Sequence, residues 1–116
     1  DGIRDLVRSR GLGDVYKRQE ARRAGKSWTN PLLVLCVLPN GLNQCRFGFS
    51  VSRRLGNAVR RNRVRRRLRE IIRLHMAAMG PGWDVVMIAR PPASQADFIT
   101  LETACLALLR RASLLS

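Results

Sequence analysis

The sequence has few of the residues that build metal sites, disulfides and acid–base pairs. Among 116 residues there are one histidine, three cysteines and eight acidic residues. Cys36, Cys45 and Cys105 are scattered, odd in number and without C-x-x-C spacing. They are predicted to be buried, reduced thiols, because an unpaired cysteine behaves as a small hydrophobe. His75 has no second histidine or carboxylate at ligand spacing, which argues against a zinc site and a histidine-based triad.

Long hydrophobic runs are also missing. No stretch of about eighteen apolar residues occurs, so no membrane-spanning helix is predicted. The N-terminus lacks the basic-then-apolar arrangement of a secretion signal, and a cytoplasmic location is therefore expected. Aromatic residues make up only 5% of the chain, so aliphatic side chains must build most of the core. The length suits one domain with one modest core.

Positive charge is the dominant feature of the composition. Twenty-two Lys and Arg residues against eight acids give a net charge of +14, and only two of the 22 are lysine. Such a surface attracts polyanions, which leaves nucleic acid and an anionic membrane as candidate partners. Arginine binds phosphate through a planar fork, although codon usage in a GC-rich genome could also favour arginine.

The arginines are clustered. Between residues 53 and 73 there are ten arginines and one acid, Glu70. Asn57 is a suitable N-cap, and a helix is predicted over 57–76. On a helical wheel the apolar stripe consists of Val64, Leu68, Ile71, Ile72 and His75. The ridge on the opposite face consists of Asn62, Arg66, Arg69 and Arg73, and the stripe is flanked by Arg60, Arg61, Arg63, Arg65 and Arg67.

A helix face of one sign favours a partner that supplies the counter-charge. Like charges at i and i+4 repel, and solvated faces normally mix signs. Nucleic acid is therefore the preferred partner, ahead of a merely solvated face. A membrane surface fits less well, because the apolar stripe is narrow and aliphatic. Asn62 adds both a donor and an acceptor to the ridge, or else it is simply solvated or bonded to the local backbone.

Strand patterns lie on both sides of the arginine cluster. Residues 32–38 form an aliphatic run that ends in Pro39-Asn40-Gly41, and residues 44–52 alternate. Asn-Gly between apolar runs predicts a hairpin that joins these two strands. In 44–52 one face carries Phe47, Phe49 and Val51. The other face, available to a ligand, carries Arg46, Gly48, Ser50 and Ser52.

The remaining segments complete an α+β order. Residues 19–24 are predicted to end a helix at Gly25, and a further strand is possible near 27–28. Residues 84–89 predict a buried strand. Ser94 with Asp97 matches a capping box, and the last amphipathic helix that follows carries Phe98, Leu101, Cys105 and Leu108. The predicted order is helix, strand, strand, helix, strand, helix, which favours a sheet covered by helices.

The first nineteen residues stand apart from this pattern. Gly11 and Gly13 interrupt their only helical turn. The segment 1–19 resembles translated sequencing-adaptor read-through and is predicted to be non-native, which leaves 20–116 as a single nucleic-acid-binding α+β domain.

The segment around the arginine helix resembles the bacterial ribonuclease P protein family. The motifs that carry the resemblance are FGFSVSRR (47–54), GNAV (56–59) and RNRVRR (61–66). Supporting similarities are PLLVL (31–35), LPNG (38–41), GWDVV (82–86) and IARP (88–91). The resemblance covers roughly residues 20–112.

The resemblance implies a fold. The family is a two-layer α+β sandwich of a small mixed sheet with helices, a fold also found in the second domain of a small-subunit ribosomal protein. Its strand–helix–strand unit makes a left-handed crossover, against the usual right-handed rule. In this chain the crossover would comprise strand 44–52, helix 57–76 and strand 84–89.

The resemblance also implies a function. In the family the RNA subunit hydrolyses precursor tRNA at its 5′ side with magnesium, and the protein assists as a monomer in a one-to-one complex. The residues expected to bind the catalytic RNA are Arg53, Arg54, Asn57, Arg61, Asn62, Arg63, Arg65, Arg66 and Arg69. The residues expected at the cleft for the 5′ leader are Tyr16, Arg46, Ser50 and Ser52. Family aromatics on the first helix complete that cleft, where this chain has Lys17, Arg18 and Tyr16.

No catalytic residue is expected on the protein, and no metal is expected to be held by it. The eight acids are dispersed, and neither general acid–base hydrolysis nor metal-assisted cleavage has a cluster to use. Two rival interpretations remain: a structural RNA-binding protein of the ribosomal type, and a basic module that places the helix in a DNA groove.

Overall fold

Four strands and two α-helices make up residues 26–116, the part of the chain that the computed structural model describes. In chain order they are β1 (Lys26–Thr29), β2 (Leu33–Pro39), β3 (Arg46–Ser50), α1 (Ala58–His75), β4 (Trp83–Ala89) and α2 (Phe98–Arg111). Short 3₁₀ turns lie at Arg53–Leu55, Met76–Ala78 and Pro91–Gln95. The predicted helix end at 19–24 with its stop at Gly25, the segment 1–19 and Tyr16 lie outside the described residues.

The strands form one mixed sheet in the order β1-β2-β4-β3. β2 is antiparallel to both β1 and β4, whereas β3 is parallel to β4. Met87 in β4 is paired with Leu35 on one side and with Phe49 on the other. The predicted strands are confirmed, including the extra strand near 27–28, although 44–52 is shortened to Arg46–Ser50.

The predicted hairpin between the second and third strands is wrong, because β4 lies between β2 and β3. The connecting loop passes over the start of β4: the Asn40 N–H donates to Gly82 O at 3.0 Å, and the Gly82 N–H donates to Gln44 O at 3.2 Å. Gly41 has a φ of +68°, as a tight turn requires. The turn residues therefore reverse the chain, but β2 and β3 are separated by the width of one strand, which β4 fills.

The arginine-rich segment connects two neighbouring parallel strands. β3 leads through α1 into β4, and Phe47 is paired with Val85 in the parallel ladder. A helical crossover of this kind is what parallel strands require, because a short turn cannot join them. The left hand of this crossover stays a prediction from the family resemblance.

The core lies between one face of the sheet and the two helices. Buried strand residues in it are Leu33, Leu35, Val37, Phe47, Phe49, Val85, Met87 and Ala89. Buried helix residues in it are Val64, Leu68, Ile71, Ile72, Leu101, Cys105, Leu108 and Leu109. Each fully buried large side chain contributes roughly 1.5–3 kcal/mol. The result is the two-layer α+β sandwich expected from the sequence.

Both helices begin at side-chain caps. Asn57 Oδ1 accepts from the Arg60 N–H at 3.0 Å, which confirms the predicted N-cap. For α2 the predicted Ser94 cap is wrong: Asp97 Oδ1 accepts from the Thr100 N–H at 2.8 Å. That hydrogen bond lowers the pKa of Asp97. Ser94 instead donates to Pro91 O at 3.0 Å within a separate 3₁₀ turn.

The cysteines are all free thiols, but only Cys105 is buried. Its burial among apolar side chains raises its pKa to about 12. Cys36 and Cys45 are half-buried, so the prediction of three buried thiols is wrong for them. The strand alternation of β2 turns Cys36 away from the core face, and Cys45 lies just before β3, where its Sγ donates to Gly80 O at 2.9 Å.

The link between β3 and α1 depends on Gly56. Its N–H donates to Arg53 O at 3.1 Å and closes the turn Arg53–Leu55. Its φ of +121° and ψ of −156° belong to a region that is essentially restricted to glycine. A Cβ atom at this position would lie 2.9 Å from Arg60 Cδ.

We therefore predict that Gly56→Ala destabilises the protein by about 1–3 kcal/mol, because alanine is strained at this φ and meets Arg60. Thermal unfolding measures the effect. Gly80→Ala is the matched control, since an added Cβ there meets nothing within 4 Å. Equal melting temperatures for the two variants would contradict the strained connection.

Candidate nucleic-acid interface

The inner face of α1 is the predicted apolar stripe. Val64, Leu68, Ile71 and Ile72 are buried in the core, as the helical wheel predicts. His75 is only half-buried, and its Nε2 lies 3.0 Å from Glu102 Oε2 on α2. Sequence reasoning missed this carboxylate because it is 27 residues away and nothing in the local pattern points to it.

The outer face of α1 is dominated by guanidinium groups. Asn62, Arg63, Arg66 and Arg69 are exposed, as the predicted ridge and its flank require. The side chains of Arg63 and Arg66 have no hydrogen-bond or ion-pair partner among residues 26–116, so all of their N–H donors are available to a ligand. A positive face of this kind has the charge and the fork geometry that phosphate binding requires.

Arg61 and Arg65 lie one helical turn apart on the flank of the stripe and are half-buried. The Nε atom of each is shielded from solvent and has no partner in the described part of the chain. Arg65 Nη1 donates to Asn62 Oδ1 at 2.9 Å, so the Asn62 amide NH₂ stays available as a donor. Shielded donors without an acceptor cost free energy, which an incoming phosphate or ribose oxygen would recover.

Each acid among residues 26–116 is already engaged by a protein donor. Glu70 accepts from Arg73 at 2.6 and 2.8 Å, and this hydrogen bonding lowers the pKa of Glu70. Asp84 is bonded to Arg46, Asp97 caps α2, and Glu102 faces His75. No group of three potential metal ligands occurs in this part of the chain. These carboxylates do not fit a magnesium site, and they leave most of the arginine face uncompensated.

Arg67 differs from its neighbours on α1. Its Nη1 donates to Ala96 O at 2.7 Å, just before the cap of α2. The helical wheel gave it the same flanking role as Arg63, but its guanidinium joins α1 to the backbone just before α2. Nothing in the sequence distinguishes the two arginines, because the acceptor is a backbone carbonyl 29 residues away.

Arg53 and Arg54 extend the positive surface in front of α1. Both are exposed in the 3₁₀ turn Arg53–Leu55, which Leu55 anchors by its burial in the core. Asn57 is exposed next to them, with its Oδ1 used as the helix cap. The predicted RNA-binding residues therefore lie on one continuous segment, and their contacts with RNA stay a prediction.

The predicted leader-cleft residues lie on or beside the sheet face opposite the helices. Arg46 and Ser50 are at the two ends of β3, on the face that Phe47 and Phe49 do not occupy. Arg46 makes a two-pronged pair with the buried Asp84, Nε to Oδ1 at 2.8 Å and Nη2 to Oδ2 at 2.7 Å. Its charge is therefore partly committed to joining β3 to β4.

Ser52 lies beyond the end of β3 and is not on the sheet face. Its Oγ accepts from the Arg54 N–H at 3.3 Å and caps the turn Arg53–Leu55. The structure thus brings Arg46 and Ser50 onto one face, with Ser52 at its margin. Tyr16 is among the undescribed residues, and the leader cleft as a whole stays a prediction.

Comparison with known proteins places this geometry in a family. The family model for ribonuclease P matches residues 13–113. The chain belongs to the ribonuclease P protein family. The match begins inside the segment 1–19, whose foreign origin stays a prediction. Membership implies partnership with ribonuclease P RNA in an endoribonuclease that processes the 5′ ends of tRNA.

Individual relatives agree with the family model. The ribonuclease P protein component of Roseiflexus castenholzii is 45% identical over 108 residues, which cover 92% of this chain and 88% of the relative. That of Herpetosiphon aurantiacus is 39% identical over 109 residues, 94% of this chain and 89% of the relative. The resemblance found in the motifs around α1 therefore extends over nearly the whole chain.

Solved structures of ribonuclease P proteins confirm the fold. The Thermotoga maritima protein superposes with a TM-score of 0.75 at 32% identity, over 96% of this chain and 97% of that one. A Staphylococcus aureus structure has a TM-score of 0.77 at 30% identity, over 84% and 90%. Another Staphylococcus aureus structure, of a mutant with defective mRNA degradation activity, has a TM-score of 0.75 at 26% identity, over 95% and 98%.

No helix within residues 26–116 is long and apolar enough to cross a membrane. The two α-helices instead contribute their apolar residues to the core beneath the sheet.

The adjacent residues Arg66 and Arg67 on α1 are predicted to serve RNA binding and protein stability, respectively. Arg66→Ala should change stability by less than about 0.5 kcal/mol, since it removes an exposed side chain. It should weaken RNA binding roughly tenfold, the effect of one charge-assisted hydrogen bond of about 1.5 kcal/mol. Arg67→Ala should lower stability by about 1–3 kcal/mol, because Ala96 O loses its donor.

Thermal unfolding and RNA titration of both variants measure the two effects. Each substitution removes one positive charge from the same helix, so a purely electrostatic effect on RNA would be shared. The assignment fails if Arg66→Ala unfolds the protein, or if Arg67→Ala leaves its stability unchanged.

Proposed function

We propose that the chain binds the catalytic RNA of ribonuclease P through α1 and the preceding turn, and that it assists RNA-catalysed 5′ maturation of precursor tRNA. The observation that carries the proposal is the outer face of α1 in a member of this family. The side chains of Arg63 and Arg66 on that face are exposed and have no partner among residues 26–116, while Val64 and Leu68 attach the same helix to the sheet. The helix can therefore meet RNA without leaving the core.

RNA suits this surface better than DNA does. A-form RNA is held by shape, through phosphates and 2′-hydroxyls, and an arginine face with one asparagine provides suitable donors. Base-edge readout in a DNA major groove combines arginine with several other side chains that read particular bases, whereas this face offers arginine and a single asparagine. The Asn62 amide NH₂, which the hydrogen bond from Arg65 does not use, could donate to a single ribose or base.

The sheet face with Arg46 and Ser50 supports the second part of the proposal, binding of the 5′ leader. Gly48 lies between these two residues on β3 and is buried, so the contacts that this face offers to a leader strand would come from the half-buried Arg46 and Ser50. Ser52 and Arg53 adjoin this face at the start of the arginine segment. The leader and the catalytic RNA would then contact neighbouring parts of one protein surface. Tyr16 stays a candidate leader contact from the sequence alone.

The cleavage chemistry belongs to the RNA subunit in this proposal. Activation of the hydrolytic water would come from magnesium held by the RNA, since the acids of residues 26–116 are committed to protein donors. The protein's contribution is electrostatic: its positive face offsets phosphate repulsion between the catalytic RNA and the substrate. We expect one protein per RNA, acting in the cytoplasm.

Cleavage at low magnesium tests the proposal against a structural RNA-binding role of the ribosomal type. The purified chain should stimulate precursor tRNA cleavage by the ribonuclease P RNA of Roseiflexus castenholzii, because added positive charge replaces part of the magnesium requirement. Controls lack either the protein or the RNA. Equal binding to unrelated RNA without stimulation would contradict the proposal, and cleavage by the protein alone would contradict RNA-borne catalysis.

The salt dependence of RNA binding tests the contact surface. If about six arginines neutralise phosphates, the logarithm of the association constant should fall with the logarithm of salt concentration at a slope of roughly −4 to −5. Titrations between low and moderate salt measure this slope. A nearly flat dependence would show that the arginine face is not the RNA contact.

A further inference from the structure

A groove separates α1 from the beginning of α2. Its volume is about 410 Å³, and it is lined by Arg63, Arg66, Arg67, Glu70 and Phe98. This volume falls within the range of about 300–1,000 Å³ that small-ligand sites occupy. The groove combines an aromatic ring with guanidinium groups, a combination that the helical wheel of α1 alone does not reveal.

The wall formed by α2 is held in place by two interactions. Arg67 Nη1 donates to Ala96 O at 2.7 Å, and Asp97 caps the helix through the Thr100 N–H at 2.8 Å. Phe98 is the first residue of α2 and comes directly after Ala96 and Asp97, the residues that make these two contacts. Its side chain is half-buried and packs against the edge of the core, so the ring has little freedom to leave the groove.

The wall formed by α1 offers unpaired positive charge. Arg63 and Arg66 have no partner among the described residues, whereas Glu70 accepts two hydrogen bonds from Arg73. Glu70, the carboxylate among the described residues that line the groove, is therefore already compensated and repels phosphate less. An anion that enters the groove meets two free guanidinium forks beside an aromatic ring.

We propose that this groove takes one unstacked nucleotide of the RNA partner, with the base against Phe98 and a phosphate at Arg63 and Arg66. Aromatic stacking recognises bases without sequence preference, and arginine forks hold the adjoining phosphate. A base inside a continuous duplex has both faces covered by its neighbours, so the occupant is an unpaired nucleotide. The inference rests on the proposed RNA-binding function and adds a stacking residue to it.

Substitution of Phe98 tests the stacking contact. Phe98→Leu keeps an apolar side chain at the edge of the core but removes the aromatic face, and Phe98→Tyr keeps the ring. We expect Phe98→Leu to weaken binding of the Roseiflexus castenholzii ribonuclease P RNA about tenfold, within the range for loss of one stacked base. Phe98→Tyr should retain wild-type affinity, and a fully paired RNA duplex should bind all variants equally.

The matched control is the next residue, Ile99, which is 72% exposed and does not line the groove. Ile99→Ala should leave RNA affinity unchanged. Melting temperatures of all variants separate binding from folding. Equal affinity of wild type and a folded Phe98→Leu variant would overturn the inference, as would equal losses in Phe98→Leu and Ile99→Ala.

An independent measurement does not depend on the stability of Phe98→Leu. Phe98→Trp places an indole in the groove, and its fluorescence should be quenched by a mixed-sequence single-stranded oligoribonucleotide more than by the duplex of the same sequence. The wild-type protein supplies the background from Trp28 and Trp83. Identical changes in wild type and Phe98→Trp would overturn the inference.

The outcomes for the groove and for the proposed function can be told apart. If the wild-type protein does not stimulate cleavage by ribonuclease P RNA, the proposed function fails. If the wild type stimulates cleavage while the Phe98 substitutions change neither affinity nor fluorescence quenching, only the groove assignment fails.

Discussion

The packing of α1 on the sheet is the constraint on which the rest of the structure depends. This helix carries a run of like charges that repel one another along its length, so arginine contacts alone cannot hold it in place. Val64, Leu68, Ile71 and Ile72 attach it to the core, and Asn57 fixes its first turn. Because one narrow stripe supplies the attachment, most of the helix circumference is left for a polyanionic partner.

The arginines of α1 fall into groups with different physical roles. Arg67 is bound to the backbone before α2, and Arg73 is paired with Glu70, so both stabilise the protein itself. Arg61 and Arg65 keep shielded Nε donors that have no acceptor within residues 26–116 on one flank, whereas Arg63 and Arg66 line the groove toward α2. The proposed RNA contacts thus lie on two sides of the same helix. Net charge alone conceals this division, because it counts structural and free arginines equally.

Features that depend on local pattern could be predicted from the sequence, and features that depend on distant partners could not. The apolar stripe, the Asn57 cap and the strands follow from residue spacing within one element. The failed hairpin at Asn40-Gly41 shows the limit, since a turn sequence does not reveal that β4 enters between the strands it joins. The family motifs pointed to RNA through α1 itself. They gave no sign of Phe98, which only the packing of α2 brings to the arginines.

The central position of β4 has a consequence for the order of synthesis. Among the described strands β4 is the last to leave the ribosome, yet it is the strand with which both β2 and β3 pair. The β1–β2 pair can form earlier, but a two-stranded hairpin is marginally stable on its own. The arginine segment is therefore translated before Trp83–Ala89, the strand that completes the surface on which it packs. During that interval the growing chain carries a highly basic segment before the sheet on which it packs is complete, so the arginine face takes its final place only after Trp83–Ala89 has been translated.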